Sequence, residues 1–299
     1  MANDAMNQRT AAQIISASRR TDIPSFYGEW LMHRLRAGYA LTQNPFNAKQ
    51  VKRISLLPQD VDCLVLWSKN PQPLLAHADE LTSLGYTCLM HFSLLPYSKN
   101  WHPHLPAQDA LVNTFLQWGA IWGRQHLIWR YDPIVLDDTM TIAWHAEHFE
   151  RLCDRLHGAT DTVTFSFVDR YRHIAKDLFR SIDDTEMLET AAAFGAIARQ
   201  YGLHAQTCCE KIDLSHLGIQ RGACIDLARI EQLSGQNLGQ VRDRNQRPLC
   251  GCAQSVDIGM YNTCGHACAY CYATRSTKSS ERNVRAHNPY SELLIEKQT

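Results

Sequence analysis

The stretch Cys264-Gly265-His266-Ala267-Cys268-Ala269-Tyr270-Cys271 sets three thiols at spacings of x3 and x2 on one short loop. Thiolates so placed can take three irons of a cubane [4Fe-4S] cluster and leave the fourth iron without a protein ligand. Soft sulfur donors suit zinc equally, so a zinc knuckle, or simple burial of the three thiols, is the competing reading. A zinc ribbon wants two C-x2-C pairs separated by a longer arm, and the chain has one such pair. His266 lies inside the loop, where it either tunes a centre by hydrogen bonding or is exposed.

Eight of the eleven cysteines fall between Cys208 and Cys271. In a reducing compartment such clustering points to metal rather than to disulfides. Five thiols precede the loop, and Cys209, Cys224, Cys250 and Cys252 are the expected set for a second tetrathiolate site, an auxiliary iron–sulfur cluster or a structural zinc. Cys208 is then the odd thiol. Adjacent strand residues face opposite sides, so only one of Cys208 and Cys209 is expected to reach a metal, and the sequence leaves open which. Buried free thiols are the plain alternative. Cys63, Cys88 and Cys153 stand in apolar surroundings and read as core.

Polar runs stand at the ends of apolar ones. They are Ser18-Arg19-Arg20-Thr21-Asp22, Ser68-Lys69-Asn70-Pro71, Arg130-Tyr131-Asp132-Pro133, Asp169-Arg170-Tyr171 and Cys208-Cys209-Glu210. Arg130 and Asp132 are suited to hold a substrate carboxylate or phosphate, or else pair with each other. Lys69 is a candidate for the same cavity.

The elements that must position these groups follow a strand–helix rhythm. Apolar runs rich in β-branched, aromatic or Leu residues predict strands at Ile14–Ser18, Tyr39–Gln43, Cys63–Ser68, Thr87–Ser93, Leu127–Tyr131, Thr162–Val168 and Leu203–Thr207. Helical spacing predicts Phe26–Arg36, Leu74–Leu84, Ala110–Trp122, Ile142–Leu156 and Glu186–Gln200. With a further strand near Asp257–Tyr261, the pattern predicts an α/β fold, a parallel (β/α) barrel of TIM type. In such barrels chemistry sits at the carboxyl ends of strands, where the polar runs stand. Residues 1–207 form the expected barrel core, 208–255 an irregular cysteine-bearing insert, and 256–299 the strand, loop and tail that complete the barrel. The tail begins polar and suggests a short helix around Glu292–Lys297.

The chain has 299 residues, 45% hydrophobic and 20% charged, enough for a sizeable core. Thirty basic residues balance thirty acidic ones, which argues against a protein living on non-specific phosphate contacts. No apolar run is long enough to cross a bilayer, and the first residues lack the parts of a signal peptide, so a cytoplasmic protein without membrane attachment is expected.

C-x3-C-x-aromatic-C, with Tyr270 at the aromatic place, resembles the signature of radical S-adenosylmethionine (SAM) enzymes. Tyr261-Asn262-Thr263-Cys264 through Cys271-Tyr272-Ala273 looks like the cluster loop of the spore-photoproduct-lyase and DNA-repair-photolyase-like branch. More broadly, the chain resembles the domain-of-unknown-function eighteen-forty-eight family. The matching landmarks are Ile15 through Pro24, Trp67-Ser68-Lys69-Asn70-Pro71, Trp129 through Pro133, Cys250-Gly251-Cys252 and Asp257-Ile258-Gly259. In most radical SAM enzymes the cluster loop follows the first barrel strand. Here it follows the last, so a circular permutation is expected, with Val256–Tyr261 spatially first and Ile14–Ser18 beside it.

The resemblance implies a [4Fe-4S] cluster on Cys264, Cys268 and Cys271, whose open iron chelates SAM. One electron, from a donor such as a flavodoxin or ferredoxin, then breaks a carbon–sulfur bond to give a 5′-deoxyadenosyl radical. It also implies that Tyr270 packs near the adenine, and that Arg19, Arg20, Thr21 and Asp22 occupy the rim that grips the SAM amino group. Likeness to the repair-lyase branch suggests a nucleic-acid substrate, while the neutral charge leaves a small molecule or modified peptide equally open. Two rivals are a non-enzymatic α/β binding module stapled by zinc, and a metal-dependent hydrolase, for which no His or carboxylate ligand set can be assembled.

Overall fold

A computed structural model describes residues 13–239 and 242–296. The elements run β1 (Ile14–Ala17), α1 (Ile23–Phe26), α2 (Gly28–Ala37), β2 (Tyr39–Asn44), β3 (Asn47–Ser55), β4 (Cys63–Ser68), α3 (Ala78–Ser83) and β5 (Cys88–Ser93). They continue with α4 (Gln108–Trp122), β6 (Leu127–Ile134), α5 (Ile142–Leu156), β7 (Thr162–Phe167), α6 (Asp184–Gln200) and β8 (His204–Cys208). The last are β9 (Gln220–Gly222), α7 (Leu227–Ser234), β10 (Val256–Asp257) and α8 (Thr277–Arg285).

Eight strands form one parallel sheet in the order β10-β1-β4-β5-β6-β7-β8-β9. Apart from β10, strands enter in chain order with no reversal, so the sheet is wound in one direction. The expected neighbourhood of β1 is found: the carboxy-terminal strand lies parallel beside it, Ile15 opposite Val256 and Ser16 opposite Asp257. Closure is not seen. Among the described residues β9 and β10 end the sheet at opposite edges, and strands of three and two residues offer too few backbone groups to stagger into a closed barrel.

Both faces are buried, which is why the strands read as unbroken apolar runs. Leu64, Leu66, Met90, Phe92, Trp129, Tyr131 and Phe165 face the helices and join Trp30, Phe115, Phe149 and Phe194 in the main core. Ile14, Cys63, Val65, Leu89 and Ile128 face the other way and are covered by Ile225, Ile230 and Ala253 from the cysteine-bearing segment. That segment plugs the face opposite the helices. Cys63, Cys88 and Cys153 are buried as expected, and burial pushes the Cys88 thiol up to about 12.

Five expectations are corrected. Tyr39–Gln43 does not join the parallel sheet; β2 pairs antiparallel with β3 in a separate hairpin, because the two residues Pro45 and Phe46 are too short for a crossover. The 208–255 segment is not wholly irregular, since β9 extends the sheet beside β8 and Asp226 caps α7. The helix predicted at Phe26–Arg36 begins earlier and breaks at Tyr27, while Leu74–Leu84 is split into a 3-10 turn and α3. The tail helix lies at α8, capped by the Ser276 side chain; residues 292–296 are not helical, and Lys297 lies outside the described residues. No described helix is long and apolar enough to cross a membrane.

Candidate metal and cofactor site

One cavity of about 590 Å³ opens at the carboxyl ends of the strands. All five polar runs converge on it: Ser18 through Asp22, Ser68 and Lys69, Arg130 and Asp132, Asp169 and Tyr171, and Cys208 and Cys209 each supply lining. So do Cys264, Cys268, Cys271 and Tyr270 from the loop after β10, and Cys224, Cys250 and Cys252 from the covering segment. Strand alternation explains the exclusion of Tyr131, which turns into the helical core beside His145.

The cysteine loop is held from several sides. Asn262 and Ala267 adopt left-handed backbone (φ 57° and 56°). Asn262 N–H donates to Ala273 O at 2.9 Å and closes the loop base. Ser280 Oγ donates to Cys264 O at 2.6 Å, and Asn283 Nδ2 donates to Asn262 O at 2.8 Å, so α8 braces the loop's outer side. His104 and His173 pair with the carbonyls of Gly265 (2.7 Å) and Cys271 (2.8 Å). Burial raises the Cys264 thiol, and raises Cys268 to about 12 against the opposing pull of Lys69. All three loop cysteines are half-buried and line the open cavity.

Two carboxylates organise the rim. Asp22 caps α1 through Oδ1 (Ser25 N–H, 3.0 Å), while its Oδ2 accepts from Lys69 N–H at 2.8 Å and pairs with His266 Nε2 at 2.8 Å. Asp22 thereby positions the cysteine loop, and it also lines the cavity. Asp257 accepts from Ser18 Oγ (2.6 Å), Arg19 N–H (2.9 Å), Gly259 N–H (2.9 Å) and Ser16 Oγ (3.2 Å). It thereby ties β10 to the turn after β1. Arg20 stands 3.9 Å from Asp257, and Arg19 lies over the Trp67 ring and donates to Ser255 Oγ at 3.2 Å.

Tyr270 is both core and lining. Its ring packs among Tyr97, Trp101 and His102. Its hydroxyl accepts from Lys69 Nζ at 3.1 Å and pairs with His102 Nε2 at 2.5 Å. Lys69 is therefore fixed at the cavity wall rather than solvated.

Arg130 and Asp132 form the pair that was the plain alternative, Nε to Oδ2 at 3.1 Å, and Ser166 Oγ donates to the other carboxylate oxygen. The Arg130 guanidinium also donates to Cys224 Sγ at 3.1 Å. Cys208 and Cys224 Sγ lie 3.1 Å apart. Cys209 leaves the strand with φ 60°, so both adjacent thiols reach the cavity and the expected opposition of Cys208 and Cys209 does not hold. Among the described residues no three His, Cys, Asp or Glu side chains converge as around a single metal ion.

Sequence reasoning gave no site role to Asp257, His102 or Arg247. Asp257 was legible as the acidic residue two before a glycine at a strand end. His102 had no local signal, since its partner Tyr270 is 168 residues away.

No curated protein matches the chain. The family model described as Domain of unknown function (DUF1848) matches residues 14–273. That span takes in every strand of the sheet, the covering segment and the whole cysteine loop, and by it the chain belongs to the DUF1848 family.

Proposed function

We propose that the chain is a radical SAM-type redox enzyme that holds a [4Fe-4S] cluster on Cys264, Cys268 and Cys271. The observation that carries this reading is the gathering of all three loop thiols and Tyr270 on one cavity at the carboxyl edge of a parallel sheet. The donor set fits: each thiolate of a polynuclear cluster meets a different iron, so the sulfurs need not converge on one point. When bound, the cluster supplies one electron to the sulfonium of SAM.

The chain's own residues bind, orient and exclude water. Lys69 and His102 clamp the Tyr270 hydroxyl and so fix the ring beside the thiols. The Asp22–His266 contact holds the loop between Cys264 and Cys268. Arg19 and Arg20, anchored by Asp257, present guanidinium groups to the cavity for a carboxylate or phosphate. On this reading the one-way sheet is the permuted and incompletely closed counterpart of a (β/α) barrel. The substrate is a small molecule or a modified peptide or nucleic acid, with electrons from a flavodoxin- or ferredoxin-like donor.

The test is chemical. Anaerobic protein reduced with dithionite should convert SAM to 5′-deoxyadenosine, and Cys264→Ala, Cys268→Ala or Cys271→Ala should each abolish conversion. Colourless protein with stoichiometric zinc and no conversion would favour a zinc-stapled binding module instead.

A further inference from the structure

The thiols outside the loop form a group of their own. Cys208 and Cys209 come from the end of β8, Cys224 follows β9, and Cys250 and Cys252 flank Gly251. Cys208 and Cys224 Sγ meet at 3.1 Å. Cys209 neighbours Cys208 and Cys250, and Cys252 neighbours Cys224 and Cys250. Three chain segments thus bring five sulfurs into one loose ring on the cavity, no three of which yet converge on a single point.

Cations surround this ring, as a set of neutral thiols would not require. The buried Arg130 donates to Cys224 Sγ at 3.1 Å. Arg19, over the Trp67 ring, and Arg247, paired with Asp169, line the same cavity. Asp132 and Asp169 offset part of that charge through their own ion pairs with Arg130 and Arg247. A backbone donor is aimed at sulfur too: Ile225 N–H lies 3.4 Å from Cys252 Sγ. Guanidinium and amide donors directed at sulfur favour the thiolate, the form that ligates metal.

We propose that Cys208, Cys224, Cys250 and Cys252 hold a second thiolate-ligated metal centre, separate from the Cys264–Cys271 loop but sharing its cavity. Cys208 belongs to the set, and Cys209 does not, because Cys208 Sγ contacts Cys224 Sγ directly whereas Cys209 has already left the strand with φ 60°. The 3.1 Å contact is tighter than the about 3.8 Å between two thiolates on one tetrahedral zinc. Metal entry therefore exchanges shared protons for metal–sulfur bonds and spreads the sulfurs by side-chain rotation. Arg130 is the positioning residue that compensates the added negative charge. The inference goes beyond the SAM reading and does not depend on it.

The test uses full-length protein in which Cys264, Cys268 and Cys271 are all changed to Ala, prepared anaerobically with iron and sulfide and, in parallel, with zinc alone. The expected result is retained metal: iron with acid-labile sulfide and a broad visible band, or about one zinc per chain without colour. Cys224→Ser or Cys208→Ser in that background should bring metal to background, while Cys209→Ser should leave it unchanged. Circular dichroism confirms that each variant is folded. A folded triple variant without metal, or a Cys224→Ser variant with undiminished metal, would overturn the proposal. Loss on Cys209→Ser with retention on Cys208→Ser would overturn the ligand assignment. SAM conversion is not read here, so failure of the SAM reading leaves this outcome distinct.

Discussion

Asp22 and His266, 244 positions apart, meet at 2.8 Å and join the first strand's turn to the cysteine loop. The contact is nearly dry, with both residues buried, so its loss strands polar atoms rather than returning them to water.

Asp22→Ala removes the cap of α1, worth about 1 kcal/mol, and strands the partner groups on Lys69 and His266, at about 1–3 kcal/mol. The expected outcome is a lower melting temperature together with reduced iron retention at the loop. Thermal melts read with iron analysis check this. Wild-type stability with full iron would show that the contact positions nothing.

A Cβ on Gly259 would stand 2.1 Å from Ser18 Oγ and 2.5 Å from Ser18 Cβ. Gly259→Ala must therefore displace the serine that Asp257 holds, and a loss of about 1–3 kcal/mol is expected. Gly251→Ala meets only Ala223 Cβ at 3.6 Å, an ordinary contact, and should shift stability by less than about 0.5 kcal/mol. Urea unfolding of the two variants side by side is the measurement; equal losses would contradict the packing described.

Tyr270→Phe keeps the ring in the core and deletes the hydroxyl between Lys69 and His102. The buried His102 loses a partner, at a cost of about 1–3 kcal/mol. Denaturant unfolding should show the loss, and His102→Ala combined with Tyr270→Phe should cost less than the sum of the two single changes.

Burial pushes the Glu210 carboxyl up to about 7, the Phe167 N–H pulling the other way. A folded pKa above the unfolded one means that the stabilisation from this proton is full below about pH 4.5 and is lost as pH rises through about 7. Relative to wild type, Glu210→Gln should thus gain stability between pH 5 and pH 8, on the order of 1–3 kcal/mol by the upper pH. Melting temperatures across that range test it, and parallel curves would remove Glu210 as the cause.

Periodicity and local residue types made most of the sheet legible. The apolar runs at β4 and β5 announce strands buried on both faces, and the polar residues at their ends mark the rim. Hairpin pairing of β2 was not legible, because Asn47–Ser55 is polar and exposed and carries no alternating apolar signal. Nor was the left-handed turn at Cys209, which lets two successive thiols share one cavity. The cysteine loop announced itself by spacing, whereas its supports, Asp22, His102 and Asn283, lie far off in sequence or on a helix that reads as a polar tail.

Electron paramagnetic resonance of the reduced, iron-loaded protein, recorded before and after SAM addition, tests the central claim most directly. A [4Fe-4S]⁺ signal that changes when SAM is added, with that SAM-responsive signal lost from the Cys268→Ala variant, is the result expected of a cluster with one iron open to the sulfonium donor. A loaded protein with no signal responsive to SAM, or a Cys268→Ala variant that keeps the SAM-responsive signal, would contradict it.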